Sequence, residues 1–397
     1  MNGNWVKIKD DVEFWGYLAL PESGAGPGLI LLSEIFGVNN HIRKMAHKFA
    51  SEGYVVLAPD MFYRACPRYE ASYKGSDFKQ GLALINSLKP KDILSDLDTV
   101  FAKISAMPEV TGGIGVIGYC MGGSLAFRMA CELDIKIAVC YYGGHIVKNL
   151  DKVNNIKGKV VMHFAQIDEY ISLDDVNKIK AAFKDRLDCQ IYYYPATQHG
   201  FNCDERSSYN HISAQIAFAR SLGALRLNIG PFLDLNLAWQ DFENKALAAS
   251  SIDEIAAMLT PESYIYVVPS LAGAKSSSDT ARFFSNFNKA NLPDDFKVNL
   301  VSRTVSANRI IDEIIISFTH SKPVPFLIPN ISPTFKPVKF IAIVICEFKA
   351  NKLSFERIYY DLAVILSQLD LIDKKLVDFD SSKTSDGVLV DLASIVN

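Results

Sequence analysis

One stretch limits the fold of this chain more than any other: Gly113-Ile-Gly-Val-Ile-Gly-Tyr-Cys-Met-Gly-Gly-Ser124. A short apolar run ends at Gly118, Cys120 follows Tyr119, and Gly122 and Gly123 open a helical pattern that runs through Ala130. The pattern predicts a strand, a tight turn and a helix, with a cysteine at the apex. Small flanking residues have a physical reason, because an apex residue in a strained conformation needs neighbours that let strand and helix pack closely. The helix N-terminus then aims free N–H groups at the sulfur, which favours thiolate. The plain alternative is an ordinary buried cysteine in a turn, since free cysteine is among the most buried residue types. The rest of the chain decides between them.

Apolar runs of buried-strand length recur: Leu29–Ser33, Tyr54–Ala58, Ile114–Tyr119, Ile135–Tyr142, Lys159–Phe164 and Cys189–Tyr194. Between them lie helical patterns at His41–Ser51, Asp77–Leu88, Ile93–Met107 and Leu173–Phe183, and Asn210–Leu222 closes the series. Val12–Leu20 alternates as a hairpin strand. Strands alternating with helices imply an α/β fold, a mostly parallel, doubly wound sheet with helices on both faces. Ligands of such sheets bind beyond the carboxyl ends of the strands. Glu34, Cys120, Asp168 and His199 all follow predicted strands, so they share one edge.

The strand–turn–helix around Cys120 is the nucleophile elbow of the α/β-hydrolase fold, with cysteine where G-x-S-x-G has serine. Asp168 and His199 come later in the chain, in the order nucleophile, acid, histidine. Cysteine attacks an acyl carbon, histidine takes and returns the proton, and the carboxylate orients the imidazole. Glu169, Asp174 and Asp175 are rivals to Asp168, the last two reading as first-turn helix residues. His163 lies inside a strand and reads as a core histidine. Glu34 beside a cysteine disfavours a resting thiolate by like charge, so a guarded, neutral thiol is expected.

Val6 to Leu222 resembles the dienelactone hydrolase (carboxymethylenebutenolidase) family. The carrying segments are Ser33-Glu-Ile-Phe-Gly37, Ala58-Pro-Asp-Met-Phe-Tyr-Arg64, Gly118-Tyr-Cys-Met-Gly-Gly123, Tyr141-Tyr-Gly143, Asp168, and His199-Gly-Phe201 followed by Arg206. The resemblance implies Cys120, Asp168 and His199 as catalytic residues, with Glu34 helping to deprotonate the cysteine when substrate enters. It implies an oxyanion hole from the N–H groups of Ile35 and Met121, and a substrate carboxylate held by Arg206. Phe36, Tyr119 and Phe201 are carried over as substrate-binding. A second substrate-binding arginine has no clear counterpart; Arg64 and Arg68 are near its region.

Asn228-Ile-Gly-Pro-Phe232 breaks the alternation. The domains expected are an α/β-hydrolase domain at 1–226, an α+β domain at 227–375 and a tail at 376–397, whose end, Val388 to Val396, could dock as a short helix. The middle segment has helices at Leu235–Ala248 and Ser251–Leu259, then long strands. It resembles SnoaL-like α+β cones (cystatin-like, nuclear-transport-factor-two-like) in Tyr264-Ile-Tyr-Val-Val-Pro269, Ser302-Arg-Thr-Val305, Arg309-Ile-Ile-Asp-Glu313, Ser317-Phe-Thr-His320 and Glu356-Arg-Ile-Tyr-Tyr-Asp361. That implies a pocket for small apolar molecules, with Asp312, Glu313, Glu356 and Asp361 as acid/base candidates. Strand alternation lets at most one of Asp312 and Glu313 face inward. Val267 stands where a catalytic histidine is expected, so binding or homodimerisation is the expected role.

The net charge of −3 gives no reason to expect nucleic acid or an anionic membrane as partner. The N-terminus lacks the apolar core of a signal peptide, and the most apolar segments are too short to span a bilayer. Seven scattered cysteines without C-x-x-C spacing argue against a disulfide framework and a zinc site and for a cytoplasmic location. No metal or cofactor is expected. The chain reads as a hydrolase of a small ester or lactone acting through a thioester. Rival readings are a ligand-binding or redox-sensing protein, or a bifunctional enzyme whose cone has isomerase- or cyclase-like chemistry.

Overall fold

The computed structural model describes residues 3–248 and 251–373. The predicted tail and its docking helix lie outside the described residues. The chain forms two compact units, Met1–Leu233 and Asp234–Asn397.

The first unit is built on eight strands: β1 (Gly3–Lys9), β2 (Phe14–Ala19), β3 (Gly26–Leu32), β4 (Val55–Pro59), β5 (Val110–Tyr119), β6 (Ile137–Tyr141), β7 (Lys159–Ile167) and β8 (Cys189–Gln198). Their order across the sheet is β1-β2-β4-β3-β5-β6-β7-β8. β1 and β2 run antiparallel, as do β2 and β4, while β3 to β8 are parallel with β4. β3, β4 and β6 are buried along their whole length, which is why they read as unbroken apolar runs.

The connecting helices are α1 (Asn40–Ser51), α2 (Gly75–Ser87), α3 (Pro90–Ser105), α4 (Met121–Glu132), α5 (Leu173–Ala182) and α6 (His211–Ile229). Several start on side-chain caps that satisfy free N–H groups. Asn39 accepts from Ile42 N, Asn210 from Ser213 N, and Ser172 forms a reciprocal box with Asp175. The last contact makes Asp175 a capping residue, as its place in the first turn predicts. α6 runs past the expected break at Asn228, because Leu222, Leu225 and Ile229 continue its buried stripe. Pro231 then packs over Gly53. The division between units therefore falls at Leu233, beyond the expected 226.

Gly122 fixes the elbow. A Cβ there would lie 2.2 Å from the carbonyl oxygen of Leu32 and 2.7 Å from that of Ser33, both rigid backbone atoms. Gly122→Ala is expected to cost roughly 2–3 kcal/mol, the scale of overpacking a fixed backbone. Denaturant unfolding checks it, and an unchanged midpoint would show that α4 can retreat from β3.

The second unit has a six-stranded sheet in the order β10-β9-β14-β13-β12-β11. Its strands are β9 (Leu259–Val267), β10 (Ala272–Lys275), β11 (Lys297–Val305), β12 (Arg309–Thr319), β13 (Pro337–Lys349) and β14 (Lys352–Tyr360). All pairs are antiparallel except β14 with β9. β13 buries every second residue from Val338 to Phe348, so one sheet face is a core face. The helices are α7 (Leu235–Leu247), α8 (Ile252–Ala257), α9 (Ser277–Ser285) and α10 (Leu362–Gln368). α7 covers the core face, with Trp239 edge-on to Phe348 at 6.4 Å. α9 was not expected from the sequence. Its serine-rich start hides a helix whose cap, Ser276, accepts from Asp279 N, and which buries Ala281 and Phe284.

Candidate active site

Four strand ends bring the predicted residues of the first unit together. Cys120 joins β5 to α4 with φ 54° and ψ −111°, a strained conformation for a residue with a side chain. Two backbone bonds hold it there: Cys120 N–H donates to Tyr141 O and Gly122 N–H to Ser33 O, each at 3.0 Å. The second bond ties the elbow to the loop after β3, which carries Ile35. Among the described residues, neither Ile35 N–H nor Met121 N–H donates to a protein acceptor.

Asp168 follows β7 and His199 follows β8. The Nδ1 atom of His199 lies 2.8 Å from Asp168 Oδ2. The other oxygen, Oδ1, accepts from Tyr170 N (2.9 Å) and Ile171 N (3.2 Å), so the carboxylate cannot rotate freely. His199 is only 6% exposed, and its Nε2 has no well-aligned hydrogen-bond partner. Burial presses the imidazole toward neutrality, but the charge of Cys120 and the hydrogen bond to Asp168 outweigh it and lift His199 to about 10. Cys120 is thus its electrostatic partner. The rings of Tyr142 and Tyr170 flank the imidazole, each centroid 4.9 Å away.

Glu34 is 1% exposed. Its Oε1 accepts from Arg206 Nη1 at 3.1 Å, while Oε2 is buried without a partner. Arg206 crosses directly over Gly200, which has φ 78° and where a Cβ would meet Nη1 at 2.4 Å. The guanidinium lies 6.0 Å from the ring centre of Phe36 and 5.7 Å from that of Tyr73. Burial, then the charge of Glu34, holds the Tyr73 and Tyr142 phenols well above their ordinary range, and burial, then Tyr141, does the same for Tyr119. The same two causes push Cys203 up to about 12.

This geometry sits on a sheet of hydrolase topology, and known proteins match it over the same region. The dienelactone hydrolase family matches residues 14–227. The chain belongs to the dienelactone hydrolase family. It is 33% identical over 221 residues to a Synechocystis protein named provisionally as a carboxymethylenebutenolidase, covering 53% of this chain and 90% of that one. A Pseudomonas carboxymethylenebutenolidase is 30% identical over 224 residues, 56% of this chain and 93% of the relative. A dienelactone hydrolase-like promiscuous phosphotriesterase from metagenomic libraries superposes with a TM-score of 0.51 at 19% identity, covering 58% of this chain and 99% of that one. That likeness shows the fold alone. The family makes the chain a dienelactone hydrolase-like carboxylic ester hydrolase.

Two of the residues expected to bind substrate are fully buried. Tyr119 and Phe201 have no exposed surface. They lie beneath the site, Phe201 edge-on to Tyr142 at 5.4 Å and Tyr119 tilted on Tyr141 at 4.8 Å. Both lie inside motif segments, and nothing in the sequence separates a core side chain from a site one there. His163 is the core residue expected, between Tyr194 OH (2.9 Å) and Ser221 Oγ (3.0 Å), and burial lowers it to about 3. Arg64 forms a fork with Asp96 at 2.7 and 2.9 Å, and Arg68 lies 3.4 Å over the ring of Trp5. Neither joins Arg206. Tyr73, on an irregular segment with no motif, was not expected at the site.

His41, Cys203 and Asp204 offer ligand atoms within 4.8 Å of one another. His41 stands in the first turn of α1, where the helix field opposes a cation, and Asp204 faces Lys44 at 4.0 Å. We assign no metal there.

In the second unit, Asp312 and Glu356 are buried. Asp312 takes a fork from Arg303 (2.6 and 2.7 Å) and a bond from Trp239 Nε1 at 3.1 Å. Glu313 is on the other face, bonded to Ser302, and Asp361 caps α10. Val267 is buried. Glu356 Oε2 has no partner; burial, then Glu243 on α7 and Asp312 on β12, push the carboxyl up to about 8. The nearby groups are otherwise Cys346, its register partner on β13, and Arg303, tied to Asp312. A carboxyl raised above its ordinary 4.5 binds its proton more tightly in the folded state, so stability declines as pH rises from that value toward about 8. Glu356→Gln is expected to raise the melting temperature at alkaline pH by about 4 °C or more and change little at acidic pH. Parallel melting curves against pH for the two proteins would contradict this.

Proposed function

We propose that the first unit hydrolyses small esters or lactones through a thioester on Cys120. The observation that carries this is the Asp168–His199 hydrogen bond, with His199 coupled to a cysteine on a strained elbow. His199 takes the thiol proton, and the buried Glu34 Oε2 is a second base. The sulfur attacks the carbonyl carbon, and the free N–H groups of Ile35 and Met121 receive the oxyanion. The alcohol or enol leaves with the proton from His199. Water, activated by the same nitrogen, then cleaves the thioester. Arg206 and Phe36 bind the substrate.

The test is intact-mass trapping with an activated acetate ester, followed by peptide mapping. Acetyl on Cys120 that turns over is expected. Turnover with no acyl-enzyme at Cys120, or with the acyl group elsewhere, would overturn the mechanism.

We propose a SnoaL-like cone for the second unit, supported by its six-stranded sheet with one buried face and the helix α7 over that face, with a binding or homodimer role. Burial of Glu356 and the engagement of Asp312 by Arg303 support structure rather than chemistry there. Among the described residues, no helix is long and apolar enough to cross a membrane. All seven cysteines are free, which suits a reducing, cytoplasmic setting.

A further inference from the structure

A histidine that hands its proton to a departing alcohol must hold that oxygen against its ring, so the alcohol side of an ester lies beside His199. Two rings flank the imidazole, each with its centroid 4.9 Å away. Tyr142 has no exposed surface, whereas Tyr170 is 50% exposed, so Tyr170 is the ring that an incoming group can touch. Burial, then Glu169, raises the Tyr170 phenol above its ordinary range, and the charges of Arg206 and Cys120 act on it as well. Tyr170 therefore stands within electrostatic reach of the sulfur. The polar cleft of about 710 Å³ beside Asp168 and Arg206 is a different surface, because Cys120, Ile35 and Met121 are not among its wall residues.

Tyr170 does not stand alone. The ring of Phe78, half-buried on α2, lies 6.4 Å from it at 34°, and Phe36 lies 6.4 Å from Phe78. These are contact spacings for aromatic rings. The three rings make a strip that runs from the loop carrying Ile35 to the histidine. Both ends of the strip are pinned to the site. Tyr170 N–H donates to Asp168 Oδ1 at 2.9 Å, so the catalytic carboxylate fixes the backbone under the tyrosine. Gly81, three residues after Phe78 and on the same face of α2, presses the helix onto Ile35. A Cβ at residue 81 would lie 2.5 Å from the Ile35 carbonyl oxygen. Rings held in this way are a preformed contact surface. An exposed aromatic strip beside the reacting groups marks a place for a ligand.

We infer that Phe78 and Tyr170, backed by Phe36, form a subsite for the alcohol or enol side of the ester, and that it takes a flat apolar group such as an aryl or cyclic alkenyl ring. The inference rests on the ester-hydrolase reading of the same site. It names the chemistry of the departing group, which that reading leaves open.

A matched pair tests it on the full chain: benzyl acetate and methoxyethyl acetate, whose alcohols have similar acidity but differ in apolar surface. Both leave the same acetyl group on Cys120, so the ratio of their kcat/KM values compares the alcohols alone. Benzyl acetate is expected to be preferred by about tenfold or more. Phe78→Ala and Tyr170→Ala should each bring the preference down to about threefold or less, while Tyr170→Phe should keep it, because the ring and not the hydroxyl makes the contact. Each ratio is taken on one sample, so any unfolded fraction of a variant cancels. A native ratio near one, a ratio unaltered in both alanine variants, or a ratio lost equally in Tyr170→Phe would overturn the inference while leaving the hydrolase reading intact. So would no turnover of either ester by a protein that still hydrolyses activated acetates. Failure on activated acetates as well, or turnover that persists in Cys120→Ala, would overturn the underlying reading and the inference with it.

Discussion

Replacing Cys120 with alanine is expected to lower kcat/KM for activated esters by about 10⁴-fold or more, the scale seen when a nucleophile is removed from an otherwise intact site. The fold should survive. Alanine keeps the bonds from residue 120 N–H to Tyr141 O and from Gly122 N–H to Ser33 O, and it occupies the same φ of 54° at similar strain. The variant also isolates the electrostatics. His199 reaches about 10 because Cys120 and Asp168 overcome its burial. Without the sulfur, burial has less opposition, and the imidazole should titrate at lower pH, read from its ring-proton NMR shift. The sign for stability follows. A histidine raised above its ordinary 6.5 contributes stability that is fully present below that pH and is lost as pH rises toward about 10. In Cys120→Ala that contribution should shrink and its loss should move to lower pH. An unchanged His199 titration would mean the sulfur does not face the ring.

The first unit was legible in the sequence because its strands are buried on both faces. An unbroken run such as Gly-Pro-Gly-Leu-Ile-Leu-Leu in β3 has no other comfortable place in a soluble fold. Glu34, Cys120, Asp168 and His199 were legible because each follows such a run, and the sheet alone brings them to one edge. Side-chain direction was not legible. Tyr119 and Phe201 sit in motif segments yet point beneath the site, and only the packing of Tyr141 and Tyr142 reveals it. The pairing of Glu34 with Arg206 spans widely separated loops, and the bare Gly200 that permits it reads in sequence as one more turn glycine. In the second unit, alternation correctly put Asp312 and Glu313 on opposite faces. It could not show that Asp312 is claimed by Arg303 and Trp239, since that depends on where α7 lies over the sheet. The parallel pairing of β14 with β9 was equally hidden, because strands distant in sequence carry no turn to announce their register.

Asp168→Asn is expected to reduce kcat by about 10³–10⁴-fold with a much smaller change in KM and in melting temperature. The cause is the fixed orientation of the carboxylate. Oδ1 is held by Tyr170 N–H and Ile171 N–H, so an asparagine must keep its carbonyl oxygen toward those donors. Its NH₂ group then takes the position of Oδ2 and faces His199 Nδ1, which at 2.8 Å from Oδ2 in the native protein is a donor. Two donors cannot share that contact, so Nδ1 must become the acceptor and the ring proton moves to Nε2. The nitrogen facing Cys120 is then protonated in the neutral ring and cannot accept the thiol proton. The loss should shrink at alkaline pH, where solvent base can remove that proton instead. Nitrogen NMR of the imidazole would report the exchanged tautomer directly, a signature that simple loosening of the loop would not produce. If Asp168→Asn retains near-native kcat at neutral pH, Asp168 does not set the tautomer, and the exposed Glu169 beside it becomes the residue to examine.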